Sequence, residues 1–192
     1  MARKITAPVG LQNIHYALLL KDDEAGVEYG TPKKLAPAIT ATVTPTMNSA
    51  TLHGDDGPVL TANALDVITV EIGVVDLSFE DQAELLGATL AANGLLIDNA
   101  NDQAPEVAIG WQRTMDDGSS RFTWLLKGKF QLPTEEATTK QGEPNFQTPT
   151  ITGTFLKRQF DGEWRFRADG SNPDSAALVA AWFDAVPVDP KP

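Results

Sequence analysis

The sequence predicts a mainly β fold with one helix near the middle of the chain and a second helix near its C-terminal end. Several segments alternate apolar and polar residues with a period of two, which is typical of half-buried strands. The segment 79–92 instead has helical spacing. Clusters of Gly, Asp, Asn and Pro separate these segments and predict turns.

The composition sets limits on what the chain can do. Its 192 residues, 42% of them hydrophobic, suffice for one sizeable core. The net charge is -11, which argues against nucleic-acid binding by the chain as a whole, because affinity for phosphate depends mainly on Lys and Arg. There is no cysteine, so disulfides and thiolate chemistry are excluded. No apolar run approaches the roughly 18 residues of a membrane span, and no membrane partner is expected.

Three strands are predicted in the first half of the chain, at 14–21, 35–45 and 66–77. A turn at 22–26 follows the first. The third is rich in β-branched residues, which favour strands. Its even positions from 68 to 74 are Ile or Val and form one apolar face, while Thr69 and Glu71 lie on the other.

Threonine alternates with other residues in two places, and this pattern bears most directly on function. Because successive side chains of a strand point to opposite faces, each run predicts a strand face made of threonine. A catalytic site needs a few convergent reactive groups. A repeated, unreactive hydroxyl surface instead favours a structural protein. The two runs are Thr40, Thr42 and Thr44, and Thr148, Thr150, Thr152 and Thr154.

The helix predicted at 79–92 begins with a capping-box pattern, in which Ser78 is the N-cap and Asp81 lies three residues further on. Asn93-Gly94 provides a stop signal. The apolar residues are spaced by four, three and four positions, so they form one stripe. They are Phe79, Ala83, Leu86 and Leu90.

The second half predicts a meander of strands at 106–113, 121–130, 146–159 and 164–168. The turn at 116–118 separates the first two. Within 121–130, we expect Phe122, Trp124 and Leu126 on one face and Arg121, Thr123 and Lys127 on the other.

Two further signals follow in this half. Asp161-Gly162 predicts a two-residue hairpin turn. A last helix is predicted over 174–186, with Asn172 as its cap and Pro173 at its first position. Its expected apolar stripe comprises Leu178, Ala181, Trp182 and Ala185.

Two long segments are predicted as loops, and loops of this length are usually functional or disordered. The segment 46–64 contains a turn at 53–58 between short strand-like pieces and is interpreted as a projecting arm. The segment 131–145 is polar and bounded by proline.

A search for chemistry finds no strong motif. His15 and His53 have no partner at a recognisable spacing, so each is more simply an ordinary histidine than a base or metal ligand. The segment 98–109 begins like a calcium loop, but the required positions hold Ala100, Gln103 and Ile109. There is no phosphate loop, nucleophile elbow or HExxH. We therefore expect no enzyme activity, cofactor or metal.

Three collinear stretches carry a family resemblance: GLQNIHYAL followed by YGTPKKLAPAITATVTP, then DVITVEIGVVDLSFEDQAELLGA, then FTWLLKGKFQLPTEEATTKQGEPNFQTPTITGTF. In their order, length and amino-acid sequence these stretches resemble the phi13-type major tail proteins of long-tailed bacteriophages, and the resemblance runs from about Gly10 to Trp164. The segment 174–186 has no clear counterpart in that family.

The resemblance implies a β-sandwich with one flanking helix, the tail-tube fold, over 1–168, and a C-terminal helix and tail over 169–192. It implies hexameric rings that stack into a tube, whose lumen conducts DNA without binding it specifically. The partners would be further copies of the chain and the tape-measure, tail-terminator and tail-tip proteins. The protein would reside in the tail of the virion after assembly in the bacterial cytoplasm.

Within this interpretation, three groups of residues receive roles. Those expected to face the lumen are Thr40, Thr42, Thr44, Thr69, Glu71, Thr148, Thr150 and Thr152. Those expected on the inter-ring arm are Met47, Asn48, Leu52, His53, Asp55, Asp56, Val59 and Leu60. Those expected on an inter-subunit loop are Glu135, Glu136, Lys140 and Glu143.

Two other functions stay open. A carbohydrate-binding β-sandwich for host attachment would need one or more of the four tryptophans exposed. Their positions on apolar faces favour core packing instead. A β-sandwich glycosidase would need paired acids in a cleft, and no such pattern is present. The tryptophans are Trp111, Trp124, Trp164 and Trp182.

Overall fold

The computed structural model describes residues 5–135, 138–139 and 148–188. Within them the chain is mainly β and antiparallel, as predicted. In chain order the elements are β1 (Pro8–Asp23), β2 (Gly26–Tyr29), β3 (Lys33–Lys34), β4 (Ala38–Gly54), β5 (Gly57–Val74), α1 (Phe79–Leu86), β6 (Thr89–Leu90), β7 (Leu96–Ile97), β8 (Val107–Met115), β9 (Ser120–Phe130), β10 (Thr150–Phe155), β11 (Arg165–Asp169), a 3-10 turn (Pro173–Ser175) and α2 (Ala176–Ala180).

Nine of the described strands form one continuous sheet in the order β2-β1-β8-β9-β10-β5-β4, with β3 on β1 and β11 on β9. Strands β6 and β7 pair separately. The sheet curls back on itself, because β3 pairs with β1 and leads within a few residues into β4 at the far end of the sheet. The backbone of Leu35, between β3 and β4, donates to the Ile14 carbonyl at 3.0 Å.

The main core fills the inside of this curl. It collects the even-numbered apolar positions of β5, as the alternation predicted, together with side chains of β1, β8, β9 and β10. Helix α1 adds Leu85 and Leu86. The Tyr16 hydroxyl, with its single hydrogen, lies 3.1 Å from an Asp81 carboxylate oxygen and 2.9 Å from a Glu84 carboxylate oxygen, and this shared donor anchors the helix. Lys33 forms an ion pair with Glu84.

Helix α1 is shorter than the predicted 79–92. Its start is confirmed: the Asp81 N–H donates to the Ser78 side chain at 3.1 Å. It ends at Gly87, which has a φ of 79° and donates its N–H to the Ala83 carbonyl. Glycine adopts this left-handed conformation without steric cost and so closes the helix. The predicted last stripe residue, Leu90, lies in strand β6.

The predicted C-terminal helix 174–186 is also too long. The Asn172 cap and the position of Pro173 are confirmed, but regular α-helix covers only Ala176–Ala180. Beyond it the chain turns so that the Trp182 carbonyl accepts from Trp124 Nε1 at 3.0 Å. A continued helix would use that carbonyl internally. Leu178, assigned to the apolar stripe, is 49% exposed.

A second core lies on the outer face of the sheet, under this C-terminal segment. Trp182 and Val186 pack on Ala17, Ala108, Phe122, Trp124 and Leu126. The prediction that Phe122, Trp124 and Leu126 share one face of β9 is confirmed. The other face of β9 is covered as well, because Thr123 and Lys127 are only 4% and 9% exposed. The alternation also shifts at an irregularity, where Val107 pairs with Gly128 but Ile109 pairs with Leu125.

Two of the predicted turns, both in the second half of the chain, have different outcomes. The turn at 116–118 is confirmed between β8 and β9, with Gly118 at a φ of 81°. The prediction that Asp161-Gly162 joins a paired hairpin is wrong, because β10 and β11 pair one after the other along β9 and not with each other. Instead, the Asp161 carboxylate binds the buried Arg158 guanidinium.

Candidate assembly surfaces

The segment predicted as the loop 46–64 is a β-hairpin. Strands β4 and β5 stay paired from Ala38↔Val74 to Gly54↔Gly57, while β10 supports β5 only between Ile68 and Gly73. The short strand-like pieces thus join into one ribbon that runs beyond the sheet. We call residues 46–65 the arm. Nine residues per strand, 46–54 and 57–65, give it a reach of about 30 Å.

The arm is exposed on both faces. From 44 to 64 every residue except Gly57 is exposed. One face carries the opposed pairs Leu52↔Leu60 and Ala50↔Ala62, and Leu52 and Leu60 are 62% and 65% exposed. Such a face buries little in the chain alone, and an isolated two-stranded hairpin is at best marginally stable in water.

The opposite face of the arm is polar beyond the apolar pair Met47↔Leu65 at its base. It carries the pairs Thr51↔Thr61 and Ser49↔Asn63, and the Ser49 hydroxyl donates to the Asn63 side chain at 2.7 Å. The arm is therefore amphipathic, which favours docking by one face. The remaining residues assigned to the arm are exposed as well: Met47, Asn48, His53 and Val59.

The tip of the arm is a tight acidic turn. Asp55 and Asp56 have φ values of 47° and 64°, and Gly54 pairs with Gly57 across the turn. Positive φ at both central residues is the signature of a type I′ turn, whose twist matches that of the flanking strands. The turn thus presents two carboxylates at the far end of the ribbon.

The predicted threonine faces come together as one surface. Strand β5 lies between β4 and β10, so the two threonine runs flank Thr69 and Glu71. Lys129 of β9 lies beside Thr154. We call this surface the threonine face. Its three rows, read across the sheet, are Thr40–Gly73–Thr150, Thr42–Glu71–Thr152 and Thr44–Thr69–Thr154.

Gly73 allows Thr40 of β4 to pack closely against β5 in the row Thr40–Gly73–Thr150. A Cβ at this position would lie 2.7 Å from Thr40 Oγ1, a contact that requires the threonine to move. Thr148 is exposed but lies before β10 begins, so it is outside the paired rows.

A buried ion network ties the edge of the sheet to the chain after β10. The Asp22 carboxylate accepts from Lys127 Nζ at 2.7 Å and from the N–H groups of Gln159 and Phe160. Burial alone would raise the Asp22 pKa, but these donors outweigh it and hold the pKa below its usual value. Sequence analysis assigned Asp22 only to a turn, and residues 105 positions apart give no local signal of pairing.

Of the four residues predicted on an inter-subunit loop, one lies within the described residues. Glu135 is exposed. Glu136, Lys140 and Glu143 lie outside the described residues.

The residues considered for chemistry have ordinary surroundings. His15 stacks on Phe183 with ring centroids 4.4 Å apart, and His53 is exposed on the arm. Trp111, Trp124 and Trp182 are buried, as predicted. Trp164 is half-buried, and the Arg165 guanidinium lies 4.2 Å from its ring centroid. In the described part of the chain, no three acidic or histidine side chains cluster as a metal site would require.

No protein-family model matches the chain, and no curated protein matches it significantly.

Of the helices within the described residues, none has the length and apolar character needed to cross a membrane.

Proposed function

We propose that this chain is a structural subunit of a bacteriophage tail tube, with the β-sandwich-type tail-tube fold that the sequence resemblance implies. It assembles into hexameric rings, the rings stack, and DNA passes along the lumen. The observation that carries the proposal is the arm, a long amphipathic ribbon whose apolar face has no cover within the described chain. An assembling subunit uses such a ribbon to bind its neighbours.

The threonine face supports the luminal part of the proposal. It is uncharged except for Glu71 and Lys129, and it lies beside the part of the outer sheet face that the C-terminal segment covers. A hydroxyl-coated wall with balanced charge is wetted but does not trap phosphate, because phosphate binding requires an excess of Lys and Arg. The tape-measure, tail-terminator and tail-tip proteins remain the proposed partners, and the virion tail the proposed location.

The carbohydrate-binding alternative depended on exposed tryptophans. Trp111, Trp124 and Trp182 are buried and Trp164 is half-covered by Arg165. These four side chains therefore form no exposed aromatic platform, and we do not favour this function.

The test is negative-stain electron microscopy of the purified chain over a concentration series. We expect rings or hollow tubes of uniform width. The matched variant deletes 49–63 and joins Asn48 to Ala64, which already face each other across the ribbon, through an Asn-Gly turn. This variant should stay folded by circular dichroism and form no tubes. Tubes from the deletion variant would contradict the role of the arm, and persistent monomers of the intact chain at every concentration would contradict self-assembly.

A further inference from the structure

Strand β11 carries a small basic surface that makes no ion pair within the described chain. It comprises Arg165 and Arg167 on β11 and Arg113 on β8, and we call it the arginine surface. None of the three has a salt bridge among the described residues, although the whole chain has a net charge of -11. An uncompensated basic cluster on an acidic protein favours an acidic partner.

Electrostatic repulsion between the three arginines adds to this imbalance. Burial lowers the pKa of Arg165, and the charges of Arg167 and Arg113 lower it further, so the three cations repel one another. Arg113 Nε is buried and has no hydrogen-bond partner. The pair Arg121 and Asp169, whose nearest N and O atoms are 3.6 Å apart, closes the end of the surface. A bound carboxylate would relieve the repulsion and supply the missing acceptor.

Strand β11 at this surface also has one edge that pairs with no described strand. Within the part of the chain that the structure describes, strand β11 pairs only with β9, along Arg165↔Leu125 to Asp169↔Arg121. The β10–β5 pairing does not extend past Ile68↔Phe155, so among the described residues no strand pairs with the other edge of β11. An unpaired edge strand is a template for a strand of another chain.

The arm matches both features of this surface. It offers extended strands, and its charged side chains in the range 46–65 are Asp55 and Asp56, at the tip. Both carboxylates are exposed and form no ion pair in the described chain.

We propose that the arginine surface on β11 is the docking site for the acidic arm tip of a second copy of this chain. This inference rests on the proposed self-assembly and specifies which surfaces meet. Because the arm tip and the arginine surface are different parts of the chain, the contact between two copies is heterologous. Contacts of this kind propagate into rings or filaments.

The test is a double-mutant cycle on the critical concentration for assembly. Asp55→Asn with Asp56→Gly removes the charge but keeps a type I′ turn, which favours Asn-Gly. Arg167→Gln removes an exposed charge from the arginine surface without disturbing the stacking of Arg165 on Trp164. Each variant should raise the critical concentration at least tenfold. The combined variant should raise the critical concentration no further than the more damaging of the two single variants does, because both changes remove the same interaction.

The control removes two charges elsewhere. Glu24→Gln with Glu28→Gln neutralises exposed acids of the β1–β2 hairpin and should leave the critical concentration within twofold of the parent. If the tip variant assembles like the parent while the 49–63 deletion does not, the arm functions in assembly but this docking site is wrong. Additive effects in the combined variant would also overturn it.

A second measurement works without tubes. Because the chain has no cysteine, chains carrying Asp56→Cys and chains carrying Arg167→Cys can be mixed and oxidised. A cross-linked dimer should form in the mixture and not in either chain alone, nor with Glu24→Cys in place of Asp56→Cys. Because these substitutions remove charges of the proposed contact, the mixture is oxidised at the concentrations where the combined charge variant assembles, and absence of the mixed dimer there would contradict the contact. Binding of a 20-base-pair DNA duplex that Arg167→Gln abolishes would assign the surface to nucleic acid instead.

Discussion

Asp22 and Lys127 form a buried ion pair, with 2.7 Å between carboxylate oxygen and ammonium nitrogen, that joins strands β1 and β9. Their side chains are 2% and 11% exposed, so both charges are largely removed from water. Glu106 lies 3.5 Å from the same ammonium.

Removing one member of this pair should destabilise the fold strongly. Asp22→Asn leaves the Lys127 charge buried with only the half-exposed Glu106 as counter-ion, and we expect a loss of about 3–5 kcal/mol in the free energy of unfolding. Urea denaturation followed by tryptophan fluorescence measures it. The control is Asp23→Asn, whose exposed partner Lys21 is 3.4 Å away, and its loss should stay below about 1 kcal/mol. Equal losses in both variants would contradict this account.

Acid should unfold the protein through the same carboxylate. The Asp22 pKa is lowered in the folded state, so the unfolded chain binds protons more readily. The stabilisation is fully present above the unfolded pKa of about 4 and is lost as the pH falls through the folded value. Melting temperatures from pH 6 to pH 2 should fall for the parent and fall less steeply for Asp22→Asn. Parallel curves for the two proteins would show that another group governs the acid response.

Gly110 should not tolerate a methyl group. A Cβ there would lie 2.5 Å from the indole ring of Trp124, which is itself fully buried. We expect Gly110→Ala to cost about 1–3 kcal/mol through overpacking, with a change in tryptophan emission. Gly26→Ala is the matched control, because a Cβ there meets nothing within 4 Å. A neutral Gly110→Ala would show that β8 and β9 can separate freely at this point.

The C-terminal segment should contribute to stability although it contains little regular helix. Trp182 is 2% exposed and packs on Phe122 with ring centroids 5.9 Å apart. Trp182→Ala should cost about 3–5 kcal/mol by leaving a cavity over the sheet. Leu178→Ala, at a 49% exposed position, should change the unfolding free energy by less than about 1 kcal/mol. Comparable losses in both variants would support the stripe expected from the sequence, which contains Leu178 as well as Trp182, and would contradict the packing described here.

The threonine face should be inaccessible to large reagents in assembled tubes. Thr42→Cys is exposed in the subunit, so we expect rapid labelling of dissociated chains by a maleimide polymer too large to enter the lumen. Assembled tubes should label at least tenfold more slowly, while Glu24→Cys should label equally in both states if that hairpin stays outside. Ready labelling of Thr42→Cys in tubes would place the threonine face on the outer surface.

Local features of this chain were predictable from its sequence because they depend on near neighbours. The alternation in β5 identified its buried face, since side-chain direction in a strand has a fixed period. Ser78 and Asn172 marked helix starts through hydrogen bonds to residues two or three positions away. The threonine faces were likewise visible within each strand.

Other features depended on tertiary structure. Only sheet pairing aligned Thr42, Glu71 and Thr152 in one row, and only long-range contact paired Asp22 with Lys127. The arm was predicted as a loop because neither of its strands has a buried face, so its pattern was weak. Helix α1 stopped at Gly87 although the apolar spacing continued to Leu90. Local propensity thus set the type of most elements, while their lengths and partners followed from packing, whose energy depends on residues distant in sequence.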